Sequence, residues 1–360
     1  MSTVTTANLA DIQECLDAVD LERLFLRVLN WGTCRVEAQP IPASHGLPAE
    51  LVAAPLAELG GVVVFRVDWP EPGLPTVGER RAVSRALSHR FAEHVIVFAS
   101  ADRRSLAVVW PRLRPDGQRE LRALTYERGT PARTTVEQLA RLGFALDELL
   151  GEGPSVVEVS ERLDRAFDVQ AVSERFYDDY AAAFHRAEEA TTGLEAEQRR
   201  AFVQRLFNQL LFVRFVERKR WLRFDGRTDY LRALWQDYQQ RRDPGATFYA
   251  ERLRLLFHVG LNTPHEVNVL GIRPDGPLAD LIGQVPFLNG GLFEEREDDT
   301  LARVPDDALA PVVDDLLYRY NVTVSESTPL DVEVAVDPEM LGQVFERLVT
   351  YRHETGAYYT

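Results

Sequence analysis

One stretch governs what this chain can fold into. Within residues 195–222, Phe202, Leu206, Leu210, Val213 and Val216 recur at helical spacing, with Phe207, Leu211, Phe212 and Phe215 beside them. An apolar face that wide cannot rest on a surface, so the spacing predicts the central helix of a bundle. Segments 160–167 and 173–190 read as helices, the latter with Ser173 as a candidate cap, and 230–241, 248–257, 305–318 and 338–351 have the pattern of the central helix's neighbours.

The first part of the chain reads differently. Residues 62–67, 95–98, 106–110 and 121–126 are short apolar runs separated by turn formers such as Asp102 and Pro115-Asp116-Gly117. Helices are expected at 16–29 and 79–91. The predicted fold class is α+β: an N-terminal mixed α/β domain with a mostly antiparallel sheet, then a mainly helical domain. The turn Gly151-Glu152-Gly153-Pro154 suggests a boundary near 150, where the charge balance also changes from −2 to −13. Three regions are expected: 1–150, 151–340 and 341–360.

Net charge is −15 over 360 residues, which argues against a chain that coats phosphate backbones by charge alone. The sum hides a contrast. Residues 199–223 carry Arg199, Arg200, Arg205, Arg214, Arg218, Lys219, Arg220 and Arg223 against Glu217, so the remainder stands at −22. The end of that stretch, Glu217-Arg218-Lys219-Arg220-Trp221-Leu222-Arg223, can grip phosphates with Trp221 packing or stacking beside them. A solvated helix end is the plainer reading. Residues 294–339 gather 14 acids and three arginines, and Glu294-Glu295-Arg296-Glu297-Asp298-Asp299 is expected to be an exposed acidic loop.

Lys219 is the sole lysine. A restriction-type nuclease core binds metal through two acids and needs a lysine beside the second. The strand-borne acid here, Asp68 in Val67-Asp68-Trp69, has no lysine near it in sequence, which excludes an intact site but leaves a degenerate or variant one open. Asp68 otherwise reads as an ordinary strand-end residue. His89, His94, His258 and His265 lack zinc-site spacing, so no metal site is expected. Glycine-rich phosphate loops and nucleophile elbows are absent. Cys15 and Cys34 form no disulfide framework, and a reducing compartment is expected. Residues 1–11 lack the order of a signal peptide, and no apolar run reaches the roughly 18 residues of a membrane span. A cytoplasmic protein is predicted.

Two segments are more specific than any of this. Val285-Pro286-Phe287-Leu288-Asn289-Gly290-Gly291-Leu292-Phe293-Glu294 is one. The other is Glu354-Thr355-Gly356-Ala357-Tyr358-Tyr359-Thr360, preceded by Leu341-Gly342-Gln343-Val344-Phe345-Glu346. They resemble, in order, the “PYLNGGLFE”, “GAYYTP” and “LGxxFE” segments of the large adenine-specific DNA methyltransferases of fused restriction-modification and phage-defence systems. Residues 206–215 with Lys219-Arg220-Trp221-Leu222 are similar to the family's helix before its “KKGWL”-like end. Leu255-Leu256-Phe257, Leu261-Asn262-Thr263-Pro264 and Glu326-Ser327-Thr328-Pro329-Leu330 also fit. The resemblance covers roughly 195–360 and is loose over 1–150.

That resemblance implies S-adenosylmethionine as methyl donor, with Gly356, Tyr358, Tyr359 and Thr360 bordering its pocket. It implies double-stranded DNA as partner, contacted through Arg218, Lys219, Arg220 and Arg223. The family's glycine-rich “FxGxG” and catalytic “NPPY” segments do not occur in the sequence. The expectation is therefore the N-terminal part of such an enzyme, inactive alone: a truncated product, a fragment, or one half of a split enzyme completed by a second chain carrying the rest of the methyltransferase domain. Two alternatives stand beside it: a non-catalytic DNA- or protein-binding module, and a variant or degenerate nuclease.

Overall fold

A computed structural model describes residues 6–43, 46–114, 116–129, 133–264, 276–288, 291–321 and 331–333. The chain divides after Val172 into two compact units, and the short strand Asp331–Glu333 returns to the first.

The first unit opens with helix α1 (Thr6–Ala18), which stops where Val19 takes a left-handed φ of 56°. A wide helical turn, Arg23–Val28, follows, with the Asp20 carboxylate accepting from the Arg23 N–H at 3.1 Å. The single helix expected over 16–29 is thus broken in two. Seven strands then form one sheet in chain order: β1 (Gln39–Ile41), β2 (Leu51–Leu59), β3 (Val62–Asp68), β4 (His94–Ala99), β5 (Ser105–Leu113), β6 (Arg119–Glu127) and β7 (Asp331–Glu333). Neighbours pair antiparallel except β3 with β4 and β6 with β7. The α+β class and the mostly antiparallel sheet are as the sequence implies.

Helix α2 (Val77–Ser88) connects the parallel strands β3 and β4. It starts at a capping box between Thr76 and Glu79 and buries Val83 and Leu87 in a core with Phe65, Trp69, Ile96 and Phe98. Every residue of β4 is buried, as a central strand covered on both faces requires. Strand β2 lacks the β-branched signature because Pro55 interrupts it. The sheet register shifts between Pro55 and Ala57, where a bulge accommodates a residue with no N–H.

Helices α3 (Arg133–Ala140) and α4 (Val156–Ala166) complete this unit. The turn at 151–154 lies inside it rather than at its edge. Phe167, just after α4, packs 5.9 Å from Trp110 of β5, and its carbonyl accepts from Arg122 of β6 at 3.1 Å. These contacts carry the unit on to Val172.

The second unit begins within α5 (Val169–Ala190), which starts ahead of Ser173; Asp168 accepts from the Ala171 N–H at 3.1 Å in the capping role. The central helix is α6 (Ala196–Arg218). Phe202, Leu206, Phe207, Leu210, Val213 and Val216 are all at most 2% exposed, whereas Phe212 is 39% exposed. Phe207 meets Tyr180 and Phe184 of α5 edge-on at 5.3 and 5.7 Å. Helix α7 (Tyr230–Arg241) and the short helix α9 (Glu297–Leu301) pack on it, and wide helical turns at Tyr249–Leu253 and Leu255–Leu261 with short helices α8 (Pro277–Ile282) and α10 (Asp306–Pro311) complete the unit. Segment 338–351 lies outside the described residues.

Candidate nucleic-acid interface

Polar residues inside an apolar helix must find partners, because an unpaired buried charge is costly. Arg205 of α6 is 8% exposed and bonds Asp298 at 2.6 and 3.1 Å and Asp299 at 2.9 Å. Asp299 is 2% exposed and also accepts from the Tyr249 hydroxyl at 3.0 Å and the Arg296 N–H at 2.8 Å. Burial would raise its carboxyl, but the hydrogen bonds and charge of Arg205 outweigh that and hold it below its usual value. Two and a half turns further along, Arg214 pairs with Glu217 and donates to the Leu317 carbonyl at 2.9 Å. Glu217 accepts from the Tyr318 hydroxyl at 2.7 Å and the Leu231 N–H at 3.0 Å. Burial pushes its carboxyl up, against the pull of Arg214 and these bonds.

Two corrections follow. Arg205 and Arg214 are internal counter-ions, so the basic stretch offers less surface charge than its composition suggests. The loop 294–299 is not simply an exposed acidic loop: Asp298 and Asp299 turn inward to neutralise Arg205, while Glu295 pairs with Arg254 at 2.8 Å. An arginine in the middle of the apolar stripe was the available sequence signal for a buried acid.

The segment before this loop is fixed on the same helix. Phe293 is buried 5.7 Å from Phe212 and 5.8 Å from Phe257. Gln209 donates to the Leu292 carbonyl at 2.8 Å, and His258 Nδ1 lies 3.0 Å from the Phe293 carbonyl. Asn289 and Gly290 lie outside the described residues, as do Gly356, Tyr358, Tyr359 and Thr360.

The exposed cations sit where α6 ends. Arg218 closes the helix, Lys219 caps it, and Arg220 takes a left-handed φ of 61° that turns the chain. Lys219 and Arg220 are exposed, and the Lys219 ammonium stands 5.6 Å from the Phe215 ring centroid. Past the turn the backbone alternates. Leu222 (0%) and Phe224 (7%) point inward, while Trp221 is 51% exposed and Arg223 faces solvent. Arg223 and Gln284 exchange both backbone hydrogen bonds, at 3.1 and 2.8 Å, so the segment cannot swing away. Gly283 makes this approach feasible: its φ is +71°, and a Cβ there would lie 2.3 Å from the Arg223 carbonyl. A cleft of about 640 Å³ opens beside Arg223, lined also by Asp225, Asp237, Arg241, Asp280 and Gln284. The structure therefore brings Arg218, Lys219, Arg220 and Arg223 to one pinned segment with Trp221.

Elsewhere the candidates disperse. Asp68 ends β3 opposite Ala99, and Arg66 binds its carboxylate at 2.8 and 2.9 Å. No group of three or more His, Cys, Asp or Glu side chains able to hold a metal occurs among the described residues. His94 is 1% exposed and 2.9 Å from the Phe91 carbonyl; burial pushes its imidazole down to about 4. Cys15 and Cys34 are free thiols, both pushed up by burial. Among the described residues no helix is long and apolar enough to cross a membrane.

Comparison with known proteins gives one relationship. Over 179 residues, 48% of this chain, it is 31% identical to a Methanocaldococcus jannaschii protein predicted to be a type II restriction enzyme and methyltransferase, RM.MjaORFECS2P. The matched stretch takes up 14% of that relative's length. The chain thus has a restriction-modification relationship over about half its length. No family model and no solved structure matches it.

Proposed function

We propose that this chain acts within a restriction-modification DNA methyltransferase of the adenine-specific kind, and that its helical unit is a DNA-contacting scaffold. The parent reaction is methyl transfer from S-adenosylmethionine to adenine N6. Gly356, Tyr358, Tyr359 and Thr360 are proposed to border the methyl-donor pocket, a reading that rests on their sequence motif. The observation that carries the DNA contact is the end of α6 and the pinned segment after it, where Arg218, Lys219, Arg220 and Arg223 gather beside an exposed aromatic. Cations at such spacing bind phosphates and position a protein on a duplex without reading its sequence.

The test is duplex binding by fluorescence anisotropy. Changing all four cations to Gln is expected to weaken a 30-mer duplex by about ten-fold or more at moderate salt. Arg133→Gln, which removes an exposed cation of the first unit, serves as the comparison. Affinity that survives the fourfold change removes the segment from the account.

A further inference from the structure

We propose that Trp221 is a stacking platform for an unpaired nucleobase, so that the segment following α6 favours DNA with a single-stranded or opened stretch over an intact duplex. This rests on the DNA-contact reading above.

Phosphate binding alone needs only the cations, yet an indole is held among them. The backbone on either side of Trp221 is fixed. The Arg220 N–H bonds the Glu217 carbonyl at 2.8 Å before it, and buried Leu222 and the Arg223–Gln284 pairing anchor the chain after it. On a backbone fixed this way only the two side-chain torsions of the indole are left to order when a ring stacks on it. Trp221 and Arg223 are both exposed on this stretch, with Lys219 and Arg220 two residues and one residue earlier. A base on the indole would leave its 5′ and 3′ phosphates within the field of those cations. Stacking of this kind tolerates any base, since each presents a π face. In an intact duplex the bases are inaccessible to such a platform.

The chain supplies its own reporter. Of its five tryptophans, Trp31, Trp69, Trp110 and Trp235 are 2–4% exposed and Trp221 is 51% exposed. Titration with oligo(dT), a duplex of equal length and polyphosphate is followed by tryptophan emission and, for the nucleic acids, by anisotropy. Oligo(dT) is expected to quench the emission, and polyphosphate to bind without comparable quenching. Trp221→Ala is expected to lose about ten-fold in affinity for oligo(dT) while duplex affinity changes by less than about two-fold. Trp221→Phe should retain most of the single-strand affinity and lose the quenching. Equal loss for both nucleic acids in Trp221→Ala, no loss in either, or equal quenching by polyphosphate overturns the proposal. Duplex binding that is lost in the four-cation variant, with oligo(dT) affinity untouched in Trp221→Ala, leaves the DNA contact standing and sinks the stacking role. No binding to either nucleic acid by the unaltered chain sinks both.

Discussion

Gln209 donates from Nε2 to the Leu292 carbonyl at 2.8 Å, tying the middle of the central helix to a turn 83 residues later. The two positions come from stretches that resemble the same family motif set, and the fold brings them together in a buried setting where Gln209 is 1% exposed. Gln209→Leu keeps the bulk and removes the donor to a half-buried carbonyl. A loss of about 1–3 kcal/mol is expected, measured by urea denaturation with DNA affinity retained. Unchanged stability would mean the bond is incidental.

Arg205 and its two aspartates form a unit whose parts cannot be removed singly. Arg205→Met strands Asp298 and Asp299, at a cost of about 3–5 kcal/mol. Adding Asp298→Asn and Asp299→Asn should return much of it. The pH dependence has a fixed sign. A carboxyl held below its usual value stabilises the fold above that value, and the contribution is lost as pH falls through the folded-state value. Arg205→Met should therefore flatten the acid limb of the stability curve, read from urea midpoints across acid pH.

His94 gives an independent acid limb in the first unit. Its imidazole is pushed from 6.5 down to about 4 by burial. The unfolded chain takes up the proton first, so stability is complete above 6.5 and falls as pH drops towards 4. A shift of this size corresponds to about 3 kcal/mol across that window. His94→Gln should remove this dependence. A variant whose midpoints keep the same slope between pH 6.5 and 4 would assign the loss to other groups.

Gly283 controls the segment that presents Trp221 and Arg223. A side chain at its left-handed φ costs roughly 1–3 kcal/mol in backbone strain, and the close Arg223 carbonyl forces further displacement. Gly283→Ala is expected to destabilise the helical unit and to lower DNA affinity, although it removes no charge. Retained affinity would show that the segment need not be pinned to bind.

The second unit was largely legible in the sequence because a 3.6-residue period survives tertiary packing. The apolar stripe on α6 and the helices at 230–241 and 305–318 appear close to where their spacing puts them. Strand β2 was not legible, since Pro55 breaks a run of Ala and Leu and only pairing with β3 makes it a strand. Strand β7 was missed for a related reason: three residues carry no period, and they are defined by Leu121, Arg122 and Ala123 opposite them. At the candidate site, the cations at 218–223 could be read directly. Composition could not show that Arg205 and Arg214 are consumed internally, because burial depends on partners about 90 to 100 residues away in sequence.

Half-buried Arg218 at the end of α6 and exposed Lys219, Arg220 and Arg223 beyond it are proposed to meet DNA phosphates. Each phosphate neutralised on a duplex contributes about −0.9 to the slope of log K against log salt. The most direct measurement is that slope for the unaltered chain and for the variant with Arg218, Lys219, Arg220 and Arg223 changed to Gln. The account predicts a variant slope shallower by about 3–4. Identical slopes would contradict it.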